Sequence, residues 1–157
     1  MTHILIDGYN FLPATDFSGR DPLVAALALY RKTRGHEITV VFDGTHQGTG
    51  SGDRSFSSGI EVIFSPITVT ADEVIESMLP RMEPSSTLVV SSDRRIQDAA
   101  RRAGATFVSS QEFARRLNAP PSPIINDADP GPSKPKRGNP RKLSKEERKR
   151  RKVLTRL

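Results

Sequence analysis

Cysteine is missing from the 157-residue chain. That absence excludes disulfide scaffolds, thiolate nucleophiles, Cys-ligated zinc and iron–sulfur clusters together. Tryptophan is missing as well, and only two tyrosines are present, which argues against an aromatic platform for stacking single-stranded bases. No apolar run approaches the ~20 residues that span a bilayer. The opening Met1-Thr2-His3-Ile4-Leu5-Ile6-Asp7 lacks the basic start and long apolar stretch of a secretory signal. The expectation is a cytoplasmic protein with no membrane partner. No Gly-x-x-x-x-Gly-Lys-Ser/Thr loop occurs, which argues against a P-loop nucleotidase. Asp7 has no second Asp two residues on, which argues against an aspartyl-phosphate mechanism. His3, His36 and His46 are scattered without ligand spacing and read as structural or solvent-facing.

What is present divides unevenly. Residues 1–117 hold 12 Lys/Arg and 14 Asp/Glu, a net of −2, whereas residues 118–157 hold 12 and 4, a net of +8. Seven of the 12 prolines fall in the second segment, where only eight of 40 residues are apolar. The reading is a globular body over 1–117, long enough for a proper core, a Pro-rich linker over 118–142, and a basic tail over 143–157. The tail buries too little apolar surface to offset its ordering entropy, so it is expected to be largely disordered. Ser144-Lys145-Glu146-Glu147 opens a possible helix there by a capping box, marginal in isolation and formed on a partner.

The body alternates strand and helix signals. Strands are expected at His3–Asp7, Ile38–Phe42, Glu61–Phe64, Thr87–Ser91 and Thr106–Val108, short apolar runs suited to burial on both faces. Asp21 and Pro22 open a helix ending before Gly35. Thr70 with Glu73, a capping box, opens one over Ala71–Met82. Arg94–Ala103 forms a third, and Ser109 with Glu112 opens a short one ending near Leu117. Gly44–Gly59, with five glycines and four serines, reads as a loop. The alternation predicts an α/β fold with a parallel sheet and right-handed crossovers.

Ligands of open α/β sheets bind outside the carboxyl ends of the strands. Asp7 and Asp43 stand at two such ends, Asp93 follows a third, and Asp72 and Glu73 begin the helix after another strand. Carboxylates gathered on one rim raise one another's pKa unless a cation is present. Oxygen ligands without Cys or local His favour Mg²⁺ or Mn²⁺ over zinc, and such an ion suits phosphoryl chemistry. Each residue also has a plainer role. Glu73 has a capping-box role, Asp93 caps the next helix, and Asp43 before Gly44 suits a turn. Asn10 and Ser92 offer hydrogen bonds to a metal-bound water, a phosphate or the local backbone.

The ordered motifs Ile4-Leu5-Ile6-Asp7-Gly8-Tyr9-Asn10, Val40-Val41-Phe42-Asp43-Gly44, Thr70-Ala71-Asp72-Glu73 and Val89-Val90-Ser91-Ser92-Asp93 resemble the NYN domain, in its YacP-like branch of the PIN-like nuclease superfamily. Gly104-Ala105 followed by Ser109-Ser110-Gln111-Glu112-Phe113 resembles that domain's ending. The resemblance covers most of 3–117 and implies a Rossmann-like α/β/α sandwich with metal-dependent endoribonuclease activity. By the same resemblance Asp7, Asp72 and Asp93 are the metal-binding carboxylates. Asn10 and Asp43 complete the catalytic pocket, with Glu73 and Ser92 as secondary members. The chain is short between Phe11 and Asp21 and between Asp93 and Gly104, where substrate-contacting segments are expected to be reduced.

A body of net −2 is a poor partner for RNA, and the tail supplies what it lacks: Lys145, Arg148, Lys149, Arg150, Arg151 and Lys152. Six neutralised phosphates would give a log–log salt slope of roughly −5. The plainer reading is a solvated charge run. The alternative to a nuclease is a non-catalytic RNA- or ribosome-associated binding module.

Overall fold

The structure, a computed structural model, describes residues 1–44, 52–119, 145–155 and 157. Six strands form one sheet: β1 (His3–Asp7), β2 (Glu37–Phe42), β3 (Asp53–Ser57), β4 (Ile60–Phe64), β5 (Thr87–Val90) and β6 (Thr106–Val108). Their order is β3-β4-β2-β1-β5-β6, and every neighbouring pair is parallel except β3 with β4. The helices are α1 (Gly8–Phe11), α2 (Arg20–Arg34), α3 (Ala71–Met78), α4 (Arg94–Arg102), α5 (Ser110–Asn118) and α6 (Lys145–Thr155). The α/β fold expected from the alternation, and the α/β/α sandwich implied by the resemblance, are observed, with a sheet that is mostly parallel. No helix among the described residues is long and apolar enough to cross a membrane.

Side chains alternate across a strand, and that alternation builds two cores. Ile4, Ile6, Val40, Phe42, Leu88 and Val90 pack with Leu23 and Leu27 of α2 and Phe113 of α5. Leu5, Val41 and Val89 pack on the other face with Ile75 of α3 and with Ile96 and Ala100 of α4. Burying each large apolar side chain contributes about 1.5–3 kcal/mol. A one-residue slip of β1 would exchange both faces, so register is strongly held.

From central β1 the chain moves outward to β2 and β4, then returns to β5 on the other side of β1. That reversal makes the carboxyl ends of β1 and β5 the switch point of the sheet, where open α/β folds bind ligands.

Three local expectations are corrected. Gly44–Gly59 is not all loop: β3 lies within it as an exposed antiparallel edge strand, joined to β4 by Ser58 and Gly59, both at positive φ (51° and 83°). Such a turn matches the twist of a hairpin. Its strand has water on both sides and carries no hydrophobic alternation to betray it; residues 45–51 lie outside the described residues. The second helix starts at Arg20, with Gly19 rather than Asp21 at its cap, and Asp21 sits in the first turn, where its charge still favours the helix N-terminus. The third ends at Met78 and continues as a 3-10 turn, Leu79–Arg81, because Pro80 has no N–H to continue the α-helical ladder.

The expected linker falls almost wholly on residues 120–144, outside the described residues. The helix beyond it, α6, packs on the body of its own chain. Val153 is buried, with Leu154 and Leu157 beside it. Arg150 pairs with Glu112 at 2.6 Å, Arg101 with Glu146 at 3.2 Å, and Lys149 Nζ donates to the Gly104 carbonyl.

Candidate active site

Asp7 is the last residue of β1 and only 6% exposed. Two residues beyond Leu5, it shares that residue's face of the sheet, the one covered by α3 and α4. Asp72 lies in the first turn of α3, and Asp93 is the N-cap of α4. The parity of one strand and the start points of two helices thereby bring three acids of distant sequence onto one rim.

Electrostatics records the convergence. Burial, and next the charge of Asp72, push the Asp7 carboxyl from 3.8 up to about 7; Asp93 and Asp43 add smaller upward contributions, and the Asn10 N–H opposes them. The Asp72 carboxyl is raised by burial first, then by Asp93, Glu76 and Asp43, against the pull of Arg95. Four of the five acids singled out from sequence, Asp7, Asp43, Asp72 and Asp93, therefore feel one another.

Glu73 does not join them in the same way. Its Oε2 accepts from the Thr70 N–H at 2.8 Å while Thr70 Oγ1 accepts from the Glu73 N–H at 3.2 Å, a complete capping box.

Asn10 holds the rim together. Its Oδ1 accepts from the Ser92 N–H at 2.8 Å and from the Ser110 hydroxyl at 2.7 Å. Ser92 Oγ in turn accepts from the Ser110 N–H at 3.0 Å and donates to Gln111 Oε1 at 2.9 Å. Three chain segments, after β1, after β5 and at the start of α5, are joined in one network. Asp93 is oriented locally: Oδ1 accepts from the Arg95 N–H at 2.8 Å, and its own N–H donates to Ser91 Oγ at 3.1 Å.

Two glycines make the close approaches. A Cβ on Gly8 would lie 2.4 Å from the Phe42 ring, and one on Gly44 would lie 1.7 Å from the Ser65 carbonyl oxygen. Asp7-Gly8 and Asp43-Gly44 thus each place an acid where the backbone must pass tightly.

Sequence reading missed Glu76, Arg95, Ser110 and Gln111. Glu76 binds Arg95 through two contacts, 2.8 and 3.0 Å, tying α3 to α4 behind the acids. Its i,i+4 spacing from Asp72 is the signal that could have found it. Nothing local marks Ser110 and Gln111, whose partners lie far away in sequence.

The donor set, carboxylate oxygens of which those of Asp7 and Asp72 are raised in pKa by burial and by the neighbouring acids, fits a hard divalent cation. No three His, Asp or Glu side chains among the described residues stand close enough to cage a metal ion. An ion here would keep water in several positions, the habit of Mg²⁺, which is commonly held by one or two carboxylates.

Of the six tail cations, Arg150 and Lys149 are engaged with Glu112 and Gly104 of the body. Lys145, Arg148, Arg151 and Lys152 are exposed on α6.

The model of the YacP-like NYN domain matches residues 4–156, a span that takes in α6. A Bacillus subtilis (strain 168) protein named YacP is 33% identical over 129 residues, 74% of this chain and 75% of that protein. Two crystal structures of Rae1 (YacP) from Bacillus subtilis superpose well. One, of a mutant, has a TM-score of 0.62 at 30% identity, covering 74% of this chain and 75% of that one. The other has a TM-score of 0.61 at 31% identity, covering 74% of each chain.

Proposed function

The chain belongs to the YacP-like NYN family, a branch of the PIN-like nuclease superfamily, and from that membership we propose that it is a divalent-metal-dependent endoribonuclease hydrolysing RNA phosphodiester bonds. The observation that carries the proposal is the gathering of Asp7, Asp72 and Asp93 on the switch-point rim, with the Asp7 carboxyl raised to about 7. Such mutual repulsion costs stability and persists where a function uses the charge.

Asp7, Asp72 and Asp93 would hold the Mg²⁺ or Mn²⁺ with the help of water, since the three do not close a cage among themselves. When bound, the ion would supply Lewis acidity toward a phosphate oxygen and a more acidic water. Asn10 fixes the segment after β1 against the segment after β5 and so sets Asp7 relative to Asp93. The Glu76–Arg95 pair ties the second half of α3 to the first turn of α4. Asp43, just beyond β2, adds negative charge to the rim, where it attracts a cation or orients a water. The tail cations not engaged by the body, Lys145, Arg148, Arg151 and Lys152, would draw in the RNA backbone.

The test is cleavage of a mixed structured and single-stranded RNA with Mg²⁺ or Mn²⁺ against EDTA, with Asp7→Asn run in parallel. Metal-dependent cutting that disappears in the variant is expected. A second reading, a non-catalytic RNA- or ribosome-associated module, is favoured by the lack of a tight three-ligand cluster among the described residues. Binding by the folded protein without cutting under either metal would support it.

A further inference from the structure

At the edge of the sheet where the strands begin, away from the acidic rim, an open cleft of about 630 Å³ lies between the last turns of α2, the end of α5 and the outer half of α6. The topology fixes this place. The last turn of α2 leads through Gly35 directly into the start of β2, whereas α5 starts at the rim beside Asn10 and ends here.

The charged side chains of its lining are all cations, and the terminal residue Leu157, with its main-chain carboxylate, also borders it. Arg34, Arg116 and Arg151 come from three different helices, and no carboxylate side chain lines the cleft. Among the described residues none of these three arginines forms an ion pair. Arg116 Nη1 donates to the Leu154 carbonyl at 3.1 Å, which orients its guanidinium and anchors α6. The Arg34 guanidinium carbon stands 5.8 Å from the centre of the Tyr30 ring.

Tyr30 gives the second, independent observation. It is 6% exposed, it lines the cleft, and its hydroxyl has no hydrogen-bond partner among the described residues. The charges of Arg34 and Arg116 both reach that hydroxyl. Buried hydroxyls are normally satisfied, and an orphan has a cost. Here the orphan lies in the field of two cations; an anion held by the arginines would relieve their repulsion and would accept from the hydroxyl once a side-chain shift opens that sealed oxygen to the cleft. Guanidinium forks match the oxygens of a phosphate better than any other side chain, and the volume lies within the range of small-molecule sites.

We propose that this cleft is a phosphate-binding site, contacted by Tyr30, Arg34, Arg116 and Arg151, for a nucleotide phosphate or an RNA backbone phosphate. It is separate from the acidic rim and holds whether or not that rim cleaves RNA. Because α6 forms one wall, the ligand and the docked position of α6 are linked: whatever occupies the cleft stabilises the docked helix.

The experiment is calorimetric titration of the full chain in EDTA with inorganic phosphate, with a nucleoside monophosphate and with a short RNA, none of which is cut without metal. The Arg34→Gln/Arg151→Gln double variant and Tyr30→Phe are titrated beside the wild type. Saturable binding weakened roughly tenfold or more in the double variant is expected. Tyr30→Phe keeps the ring against Phe113, should leave the free protein as stable or more so, and should still weaken binding. RNA binding tighter than the monophosphate would identify the ligand as backbone; the reverse order would identify a free nucleotide. Either supports a phosphate site. No saturable binding of any probe, or binding undiminished in both variants, would overturn it.

Discussion

The Oδ1 atom of Asn10 accepts the Ser92 N–H at 2.8 Å across 82 residues of sequence. That bond closes the gap between the ends of β1 and β5, and the Ser110 hydroxyl shares the same oxygen. Asn10→Ala would leave both donors to water or to nothing. The expected loss is about 1 kcal/mol in urea unfolding, with a larger fractional loss of RNA cleavage than of RNA binding. Unchanged cleavage would remove Asn10 from any positioning role.

Asp7 destabilises the cation-free protein at neutral pH. Its folded carboxyl titrates near 7, against 3.8 unfolded. Between those values the folded state keeps a proton that the unfolded chain has released, so this contribution is full below about pH 4 and is lost as pH rises through 7. The rise corresponds to an upper bound of about 4 kcal/mol. Asp7→Asn in EDTA should therefore raise Tm by several degrees at pH 8 and by almost nothing at pH 4. A lower Tm at pH 8 would contradict the buried, repelled carboxylate described here.

Mg²⁺ or Mn²⁺ should raise the Tm of the wild type in proportion to the logarithm of its concentration, through binding to the folded state alone. Asp7→Asn and Asp72→Asn should flatten that response. Thermal scans across a cation series measure it directly. A response of equal slope in all three proteins would place the ion elsewhere.

Glu73 separates a cap from a ligand. Glu73→Gln retains the capping box and should change little, while Glu73→Ala should cost about 0.5–1 kcal/mol. Neither should alter the cation response. A cation response lost in Glu73→Gln would make this residue a ligand despite its bond to Thr70.

The docking of α6 rests on little buried apolar surface. Its ion pairs are exposed and worth at most about 1 kcal/mol each, so Val153, 6% exposed, carries much of the contact. Val153→Asp should release the helix, seen as rapid hydrogen exchange of its amides. Phosphate binding in the cleft should fall with it, because Arg151 leaves the wall it shares with Arg34 and Arg116. Phosphate binding that survives release of the helix would remove α6 from that site.

Strand–helix alternation, the capping signals at Thr70, Asp93 and Ser109, and the positions of Asp7, Asp43, Asp72 and Asp93 were all legible in the chain itself. Each depends on local periodicity or on a residue's place at an element's end, and those are local physics. β3 was not legible, because an exposed edge strand is held by hydrogen bonds to β4 and carries no apolar pattern. Nor was the division of labour among the acids. Asp72 and Glu73 are adjacent in sequence, yet one is coupled to Asp7 and the other closes a helix cap. Tertiary structure decided that α6 would pack on its own chain and that Arg34, Arg116 and Arg151 would share one cleft. Contacts of that kind depend on which surfaces the sheet brings together across tens of residues, and no local pattern encodes that distance.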